Sequence, residues 1–249
     1  MSRFKKKVAI VTGAASGIGR ATALRLASEG ATVACVDVNA KGVRQTVKAI
    51  EAAKGNAKAY TCNLLDIASI TKTVKAVVRD FGRIDVLCNI AGLGHFATDE
   101  DETIEAWNRV IGVNLTGTYW MSKLALPHLL ATKGAIVNTA STAGTHAQPW
   151  SSAYSASKGG VIALTQTMAV SNGLQGVRVN CVAPGGVETP IAEQFNAPEG
   201  VDVSIMVRIM PFERMGTPDE LAAAFAFLAS SEASYINGIT IRVDGAMKA

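Results

Sequence analysis

The sequence predicts an α/β fold: a doubly wound, seven-stranded parallel sheet with helices on both faces. Three observations predict it. Apolar runs of strand length alternate with longer segments of helical period along the 249 residues, apolar residues make up 49% of the chain, and a glycine-rich turn separates the first run from the first helix. Strand–helix alternation builds right-handed βαβ units and therefore a parallel sheet. We expect one domain over residues 1–249.

The predicted strands are short apolar runs. The first, KVAIVT, and the fifth, AIVNTA, are apolar nearly throughout, as strands covered on both faces must be. In chain order the seven strand candidates are residues 7–12, 32–38, 57–62, 84–88, 135–140, 177–182 and 239–243.

The predicted helices lie between these runs. Gly30 and Gly55 follow the first and second helix ends, Asp66 precedes the third helix, and Pro218 marks the start of the last. The six helix candidates are residues 17–29, 41–54, 67–81, 112–130, 153–174 and 219–230. The stretch from about 184 to 217 shows no clear periodicity, and a loop of that length in a compact domain is usually functional, often a lid.

Composition excludes several classes of protein. With 24 basic and 20 acidic residues the net charge is +4, which is mild for a nucleic-acid binder. The four cysteines are scattered, with no CxxC and no histidine at zinc-ligand spacing, so we expect neither a metal site nor disulfides. No run of 18 apolar residues and no signal peptide is evident. We therefore expect a soluble, cytoplasmic protein without a membrane or nucleic-acid partner.

The glycine-rich turn predicts a dinucleotide site. Gly13-Ala14-Ala15-Ser16-Gly17-Ile18-Gly19 stands between the first strand and the first helix. Glycines let the backbone approach a ligand closely, and the N-terminus of the helix offers free N–H groups and a positive dipole end to a pyrophosphate. The Lys-[Ser/Thr] of a triphosphate-binding loop is missing. A Rossmann-type fold with a bound dinucleotide is the prediction.

Asp37 predicts which dinucleotide binds. It ends the second strand 18 residues after Gly19, where a carboxylate accepts hydrogen bonds from both adenosine ribose hydroxyls. The same carboxylate would repel a 2′-phosphate, and no Arg or Lys stands at positions 13–19 or 38 to compensate. We expect NAD(H).

Tyr154 and Lys158 are a candidate acid–base pair. They are four residues apart in a predicted helix, so they share a face. A phenol with its usual pKa of about 10 is a poor base at neutral pH, and a nearby ammonium lowers that pKa by favouring the phenolate. A YxxxK pair arises by chance in roughly one sequence of this composition in five. Alone, the pair proves little.

Further motifs complete a resemblance. Ser141 follows the fifth strand, Asn114 lies in the preceding predicted helix, and the chain reads TGAASGIG at 12–19, NIAG at 89–92 and N-x-V-x-P-G-x-V-x-T at 180–189. Together these resemble the short-chain dehydrogenase/reductase family from Lys7 to Gly245.

The resemblance implies a role for each catalytic position. Tyr154 would donate and accept the proton, and Ser141 would hydrogen-bond the substrate oxygen. Lys158 would bind the nicotinamide ribose and lower the pKa of Tyr154, while Asn114 would hold a water that links the lysine to solvent. A cofactor half is expected over about 1–140 and a catalytic and substrate half over about 141–249, with a lid over about 189–217.

Two positions depart from the family pattern. Where the family pattern has an aspartate that contacts the adenine, this chain has Asn63. Where it has the second asparagine of Asn-Asn-Ala-Gly, this chain has Ile90. The first change removes a charge and the second puts a structural hydrogen bond in doubt. Besides Tyr154 and Lys158, the candidate cofactor-binding residues are Gly13, Ser16, Gly17, Ile18, Gly19, Asp37, Asn63, Leu64, Asn89, Ala91, Gly92, Pro184, Gly185, Val187 and Thr189.

The expected lid indicates the substrate class. It is rich in apolar side chains, and Arg208 and Arg214 are its cations. This composition suits a medium-sized, largely apolar alcohol or ketone, either a ring system or an acyl chain, although the same residues could pack a subunit interface. The candidate substrate residues are His95, His146, Phe195 and Met206. The acidic run 99–102 is expected to solvate a helix start.

The sequence thus predicts an NAD(H)-dependent oxidoreductase that interconverts a secondary alcohol and a ketone, with no metal. One alternative is a 3-oxoacyl-thioester (acyl carrier protein) reductase, although such reductases usually use NADPH and Asp37 speaks against it. Another is a catalytically silent NAD(H)-binding sensor. A homotetramer is expected, as in relatives of the family, because helices 112–130 and 153–174 are apolar on more than one face.

Overall fold

Seven parallel strands form one sheet in the computed structural model, which describes residues 2–207 and 214–247. The strands are β1 (Val8–Thr12), β2 (Thr32–Asp37), β3 (Asn56–Thr61), β4 (Val86–Asn89), β5 (Ala135–Thr139), β6 (Arg178–Pro184) and β7 (Thr240–Val243). Their order is β3-β2-β1-β4-β5-β6-β7. This confirms the predicted doubly wound sheet, with each strand within two residues of its predicted bounds.

The α-helices connect the strands. They are α1 (Gly17–Ser28), α2 (Ala40–Ala52), α3 (Ile67–Phe81), α4 (Ile104–Ile111), α5 (Thr118–Thr132), α6 (Ser152–Gly173), α7 (Ser204–Val207) and α8 (Pro218–Ala229). None of the described helices is both long enough and apolar enough to cross a membrane.

The core has two layers, one on each face of the sheet. Alternate residues of β1 divide between them: Ala9 and Val11 face α1, α2 and α8, whereas Val8 and Ile10 face α3, α5 and α6. This period of two, with every residue buried, is the pattern of a central strand covered on both faces. The four cysteines are buried and unpaired: Cys35, Cys62 and Cys88 lie in these layers, and Cys181 lies in a separate small apolar cluster.

The predicted helix over 112–130 is wrong at its start. α4 begins earlier, at Ile104, where the Thr103 side chain accepts a hydrogen bond from the Ala106 N–H (3.1 Å). A π-helical turn, Gly112–Gly117, then joins α4 to α5. A side chain at Gly117 would lie 2.8 Å from Leu64 Cβ, so the turn packs closely against the loop after β3. Gly112 and Gly117 are therefore contact points within a continuous helical segment.

The expected lid contains short helices. A 3₁₀ helix spans Pro190–Gln194, and α7 follows at Ser204–Val207. Residues 208–213 of the expected lid, including Arg208, lie outside the described residues.

Candidate active site

A cleft of about 670 Å³ lies where the carboxyl ends of β1 and β4 diverge. The chain winds from β1 towards β3 on one side and from β4 towards β7 on the other, so the loops after these two central strands leave a crevice between them. Most of the predicted site residues line it: Gly13, Ser16, Gly17, Ile18, Gly19, Asp37, Asn63, Leu64, Ala91, Gly92, Ser141, Tyr154, Lys158, Pro184, Gly185, Val187, Thr189 and Phe195.

The glycine-rich turn forms one wall. Gly13 and Gly17 adopt positive φ angles of 68° and 50°, which L side chains rarely adopt. A Cβ at Gly13 would also lie 2.9 Å from the backbone of Ala91, so only glycine lets these two loops approach. α1 begins at Gly17, so the free N–H groups of its first turn lie at this wall. This is a cradle suited to a pyrophosphate.

Asp37 lies at one end of the cleft, after β2. Its carboxylate accepts hydrogen bonds from the N–H groups of Ala15 (3.0 Å) and Asn39 (2.8 Å). It therefore helps hold the glycine-rich turn while lining the cleft. Asn63 lines the same end, and its Oδ1 accepts a hydrogen bond from the Leu65 N–H (3.0 Å).

Tyr154 and Lys158 lie one turn apart on α6, at the inner wall. Both are buried, at 7% and 3% exposed. The Lys158 Nζ donates a hydrogen bond to the Thr139 carbonyl (2.9 Å) and lies 5.7 Å from the centre of the Tyr154 ring. Ser141 caps the 3₁₀ turn Thr142–Gly144 by accepting a hydrogen bond from the Ala143 N–H (3.2 Å). The three side chains that the YxxxK pair and the serine predicted thus line one cleft.

Burial dominates the titration of this pair. It raises the pKa of Tyr154 above 10, and the hydrogen bond with Ser141 only partly opposes it. Burial likewise lowers the pKa of Lys158 to about 8. The lowered tyrosine pKa that the resemblance implies is therefore not a property of these neighbours alone, and further positive charge beside the ring is required for it.

Asn114 lies in the π-helical turn and is 1% exposed. Its Oδ1 accepts a hydrogen bond from the Leu93 N–H (2.7 Å), and its Nδ2 donates to the Leu93 carbonyl (3.0 Å) and to the Ser157 Oγ (3.1 Å). Its side chain thus ties the loop after β4 to α6 beside the cleft, rather than forming part of the cleft wall.

Three other predicted residues, Asn89, His95 and His146, do not line the cleft. Asn89 is buried behind it, where its Nδ2 donates to Ser122 and Asn138 (both 2.9 Å). His95 pairs with Glu102 (3.1 Å), and the His146 ring contacts Thr145 (2.9 Å). The acidic run therefore includes a partner for a histidine as well as solvated residues. The Met206 side chain lies outside the described residues.

Several cleft residues were missed by the sequence reasoning. Most of them are apolar and lie in loops, whereas Arg109 and Val113 lie in the helical segment whose start the sequence did not predict: Leu93, Phe96, Arg109, Val113, Gln148, Met215 and Met247. Their position after a parallel strand was the available signal. Within residues 2–207 and 214–247, no group of histidine, cysteine and acidic side chains could hold a metal ion.

Comparison with known proteins agrees with this geometry. Residues 13–248 match the family model described as Enoyl-(Acyl carrier protein) reductase. The chain is 41% identical over 246 residues to a 3-oxoacyl-[acyl-carrier-protein] reductase of Thermotoga maritima, covering 98% of this chain and 99% of that protein. It is 40% identical to meso-2,3-butanediol dehydrogenase of Serratia marcescens (98% and 95% covered) and 39% identical to cyclohexanol dehydrogenase of Acinetobacter sp. (98% and 96%).

Solved structures share the whole fold. Levodione reductase superposes with a TM-score of 0.90 at 36% identity, covering 98% of each chain. A 3-ketoacyl-(acyl-carrier-protein) reductase from Brucella melitensis complexed with NADH has a TM-score of 0.90 at 33% identity (99% and 100% covered). A short-chain dehydrogenase from Burkholderia cenocepacia in complex with NADP has the same TM-score and identity (99% and 100%). With its glycine cradle and its Ser141, Tyr154 and Lys158 in one cleft, this chain belongs to the short-chain dehydrogenase/reductase family of oxidoreductases.

Proposed function

We propose that the protein is an NAD(H)-dependent oxidoreductase that interconverts a secondary alcohol and a ketone, with Tyr154 as the acid and base. The observation that carries the proposal is the common cleft in which Tyr154, Ser141 and Lys158 lie across from the glycine cradle. The cradle and Asp37 fit the pyrophosphate and adenosine ribose of a nicotinamide dinucleotide. Hydride transfer to or from the carbinol carbon is the chemistry that this group supplies when bound.

The chain's own residues handle the proton and the substrate oxygen. In oxidation the Tyr154 oxygen takes the hydroxyl proton, and in reduction it returns a proton to the carbonyl oxygen. The Ser141 hydroxyl orients that oxygen by a hydrogen bond. The hydrogen bond with Ser141 offsets part of the effect of burial on the Tyr154 pKa. The Lys158 ammonium, 5.7 Å from the centre of the Tyr154 ring, would further favour the phenolate. The Asn114 side chain fixes the π-helical turn to Leu93 and Ser157 by hydrogen bonds, and in this proposal it thereby supports the proton relay.

The preference for NAD over NADP is part of the proposal. Asp37 and the neutral Val38 line the cleft where an adenosine ribose would lie, and neither offers a cation to a 2′-phosphate. One of the similar solved structures is complexed with NADH and another with NADP, so the fold accommodates both and we propose that the local charge decides.

The substrate that we propose is a medium-sized, largely apolar alcohol or ketone. Beside Tyr154 the cleft wall is formed mainly by apolar side chains. Among the described residues, α4 contributes the polar side chain of Arg109 to the wall, and the segment 145–150 contributes Gln148. The chain is about equally similar to cyclohexanol dehydrogenase and to meso-2,3-butanediol dehydrogenase, so the choice of an apolar substrate rests on the cleft wall. His95 and His146 are not needed for this proposal.

A 3-oxoacyl-thioester reductase is the second candidate. The 41% identity to the Thermotoga maritima reductase favours it, and the NADH complex of the Brucella melitensis protein means that an NAD preference would not argue against it. A non-catalytic NAD(H) sensor is the third, which the presence of Tyr154, Lys158 and Ser141 in one cleft disfavours.

A substrate screen tests the proposed function. The purified protein is assayed with NAD⁺ and cyclic, aryl, linear and polyhydroxylated secondary alcohols, and with NADH and the matching ketones and acetoacetyl-CoA. We expect turnover of cyclic or aryl substrates. Turnover of the thioester alone would favour the second candidate. Cofactor binding without turnover of any compound would favour the sensor.

We also propose the remaining organisation from the sequence and its relatives. The cofactor half spans about 1–140 and the catalytic and substrate half about 141–249. The protein acts as a homotetramer, and its unpaired, buried thiols suit a reducing compartment such as the cytoplasm.

A further inference from the structure

Gly94, Gln194 and Phe195 form a contact that we name the clasp. It joins the end of the 3₁₀ helix Pro190–Gln194 to the loop after β4. The Gly94 N–H donates a hydrogen bond to the Gln194 Oε1 (2.9 Å). A Cβ at Gly94 would lie 2.7 Å from the Phe195 Cζ, so the ring rests directly on the glycine backbone. Only glycine leaves room for the ring at this place.

The clasp places the Phe195 ring beside Tyr154. The two ring centres are 5.0 Å apart with an interplanar angle of 75°, and the Phe96 ring contacts Phe195 with a centre-to-centre distance of 5.0 Å and an interplanar angle of 63°. Phe96 in turn contacts Trp150 at 6.1 Å, and the Trp150 carbonyl accepts a hydrogen bond from the Ala97 N–H (2.8 Å). Edge-to-face contacts of this kind are favourable. Three separate segments thus meet in one aromatic wall next to the phenol.

We propose that Phe195, held by the clasp, determines which substrates can react at Tyr154. The inference rests on the proposed function. A substrate whose oxygen reaches Tyr154 must place a neighbouring group against the Phe195 and Phe96 rings. A flat or cyclic hydrocarbon group packs there. A second hydroxyl at that position would lose its hydrogen bonds to water and would find no acceptor on the rings to replace them.

The cleft chemistry supports this selection. Phe195 also packs against a small cluster made by Val110, Ala143, Ala153 and Tyr154, so among the described residues of this cluster the Tyr154 hydroxyl is the one polar side-chain group. A substrate with a hydroxyl on each of two adjacent carbons therefore gains nothing from its second hydroxyl at this wall. The class selected is a ring-bearing secondary alcohol or the matching ketone, in preference to a small diol or a polyol.

A specificity experiment tests the proposal with cyclohexanol and meso-2,3-butanediol as probes. For Phe195→Ala we expect kcat/KM to fall by about tenfold or more for cyclohexanol, chiefly through KM, and to change less than about threefold for butanediol. Gly94→Ala should cause the same selective loss because its methyl group displaces the ring. The double variant should be no worse than Phe195→Ala, since the ring that the methyl displaces is gone. A further variant, Gln194→Ala, removes the hydrogen bond from the Gly94 N–H. Its matched control is Gln45→Ala, which removes an exposed glutamine side chain on α2.

A second readout does not depend on turnover. Chymotrypsin cleavage after Phe195, identified by the masses of the fragments, reports how firmly the clasp holds. We expect faster cleavage in Gly94→Ala and Gln194→Ala than in the wild type and in Gln45→Ala. With NADH present, cyclohexanone should slow the cleavage of the wild type, whereas acetoin should not.

The outcomes separate the two proposals. Equal losses for both probes, additive losses in the double variant, unchanged cleavage in Gly94→Ala, or equal protection by cyclohexanone and acetoin would each overturn the role of Phe195. Absence of turnover with every alcohol and ketone would overturn the proposed function. The cleavage and protection measurements would still test whether the clasp holds Phe195.

Discussion

The phenolic oxygen of Tyr154 is the atom on which the proposed chemistry depends. Tyr154→Phe keeps the ring contact with Phe195 and removes the proton-transferring atom, so we expect kcat to fall by about 10²–10⁴-fold. NADH binding, followed by fluorescence titration, should be nearly unchanged, whereas Lys158→Met should weaken both binding and turnover. Tyr119→Phe, on the exposed side of α5, is the control. Retention of more than about a tenth of the wild-type rate by Tyr154→Phe would contradict the assignment.

The charge of Asp37 should decide the cofactor. We expect a higher kcat/KM with NAD⁺ than with NADP⁺, because the carboxylate repels a 2′-phosphate. Asp37→Ala combined with Val38→Arg should narrow or invert the ratio by replacing repulsion with a cation. Asp37→Asn with Val38→Arg separates charge from structure, since the amide oxygen can still accept the Ala15 N–H. A wild-type preference for NADP⁺ would show that this view of Asp37 is wrong.

At the residue scale, short motifs were predictable and loop contacts were not. The glycines, Tyr154 and Lys158 occupy fixed places relative to a strand or a helix turn, so sequence spacing alone puts them at the cleft. His95 sits in a loop whose path depends on its pairing with Glu102, and no periodicity records that contact. Phe195 was predicted as a substrate residue from composition and lines the cleft, but its contact with Gly94 could only be seen in three dimensions.

Asp85 links the N-terminal segment to the start of β4, and its ionisation should govern acid stability. Its carboxylate is fully buried. Burial raises the pKa of this group, but the hydrogen bond from Arg83, the Val8 N–H and the charge of Lys7 outweigh it, so the pKa lies below its usual value. A lowered folded-state pKa means that the carboxylate stabilises the fold above the unfolded pKa of about 3.9, and that this stability is lost as the pH falls through the folded pKa.

The variant Asp85→Asn tests this linkage. We expect a loss of about 2–3 kcal/mol at pH 7, because the amide cannot pair with Arg83 and Lys7. The difference from the wild type should shrink as the pH is lowered below about 4. Urea denaturation at several pH values measures it, with Glu51→Gln, an exposed carboxylate on α2, as the control. A difference that is constant with pH would rule out ionisation as the cause.

At the element scale, hydrophobic period and helix-end signals located five of the six predicted helices to within two residues, and the exception is the predicted helix over 112–130, which contains Asn114. There the sequence pattern failed for a physical reason. The π-helical turn widens the spacing of side chains, and Gly112 and Gly117 are small because Leu65 and Leu64 press against them. A pattern with a fixed period of 3.6 residues cannot register a turn of different width.

The whole molecule exposes apolar side chains that suggest assembly. Ile104 and Trp107 on α4 are 75% and 39% exposed, and Val170 and Leu174 at the end of α6 are 83% and 104% exposed. Exposed apolar surface of this kind on two helices suits an assembly of several copies. We expect light scattering at micromolar concentration to give about four times the 25.9 kDa chain mass.

Charged substitutions on α4 test whether its exposed apolar side chains form the subunit interface. Ile104→Asp with Trp107→Asp should reduce the particle mass, since charges would have to be buried at the interface. Ile67→Asp, an exposed isoleucine on α3, is the control. A wild-type mass of 25.9 kDa would refute the assembly.

The burial of the four cysteines has a consequence for the redox behaviour of the protein. Burial raises the pKa of Cys35 and of Cys88 to about 12, and that of Cys181 to about 11. At pH 7 the thiolate, which is the form that peroxide and alkylating reagents attack, is therefore only about one part in 10⁴ to 10⁵ of each of these groups. The folded protein should thus resist oxidative inactivation without added reductant. A single cysteine engineered on its surface would accept a maleimide dye against almost no background.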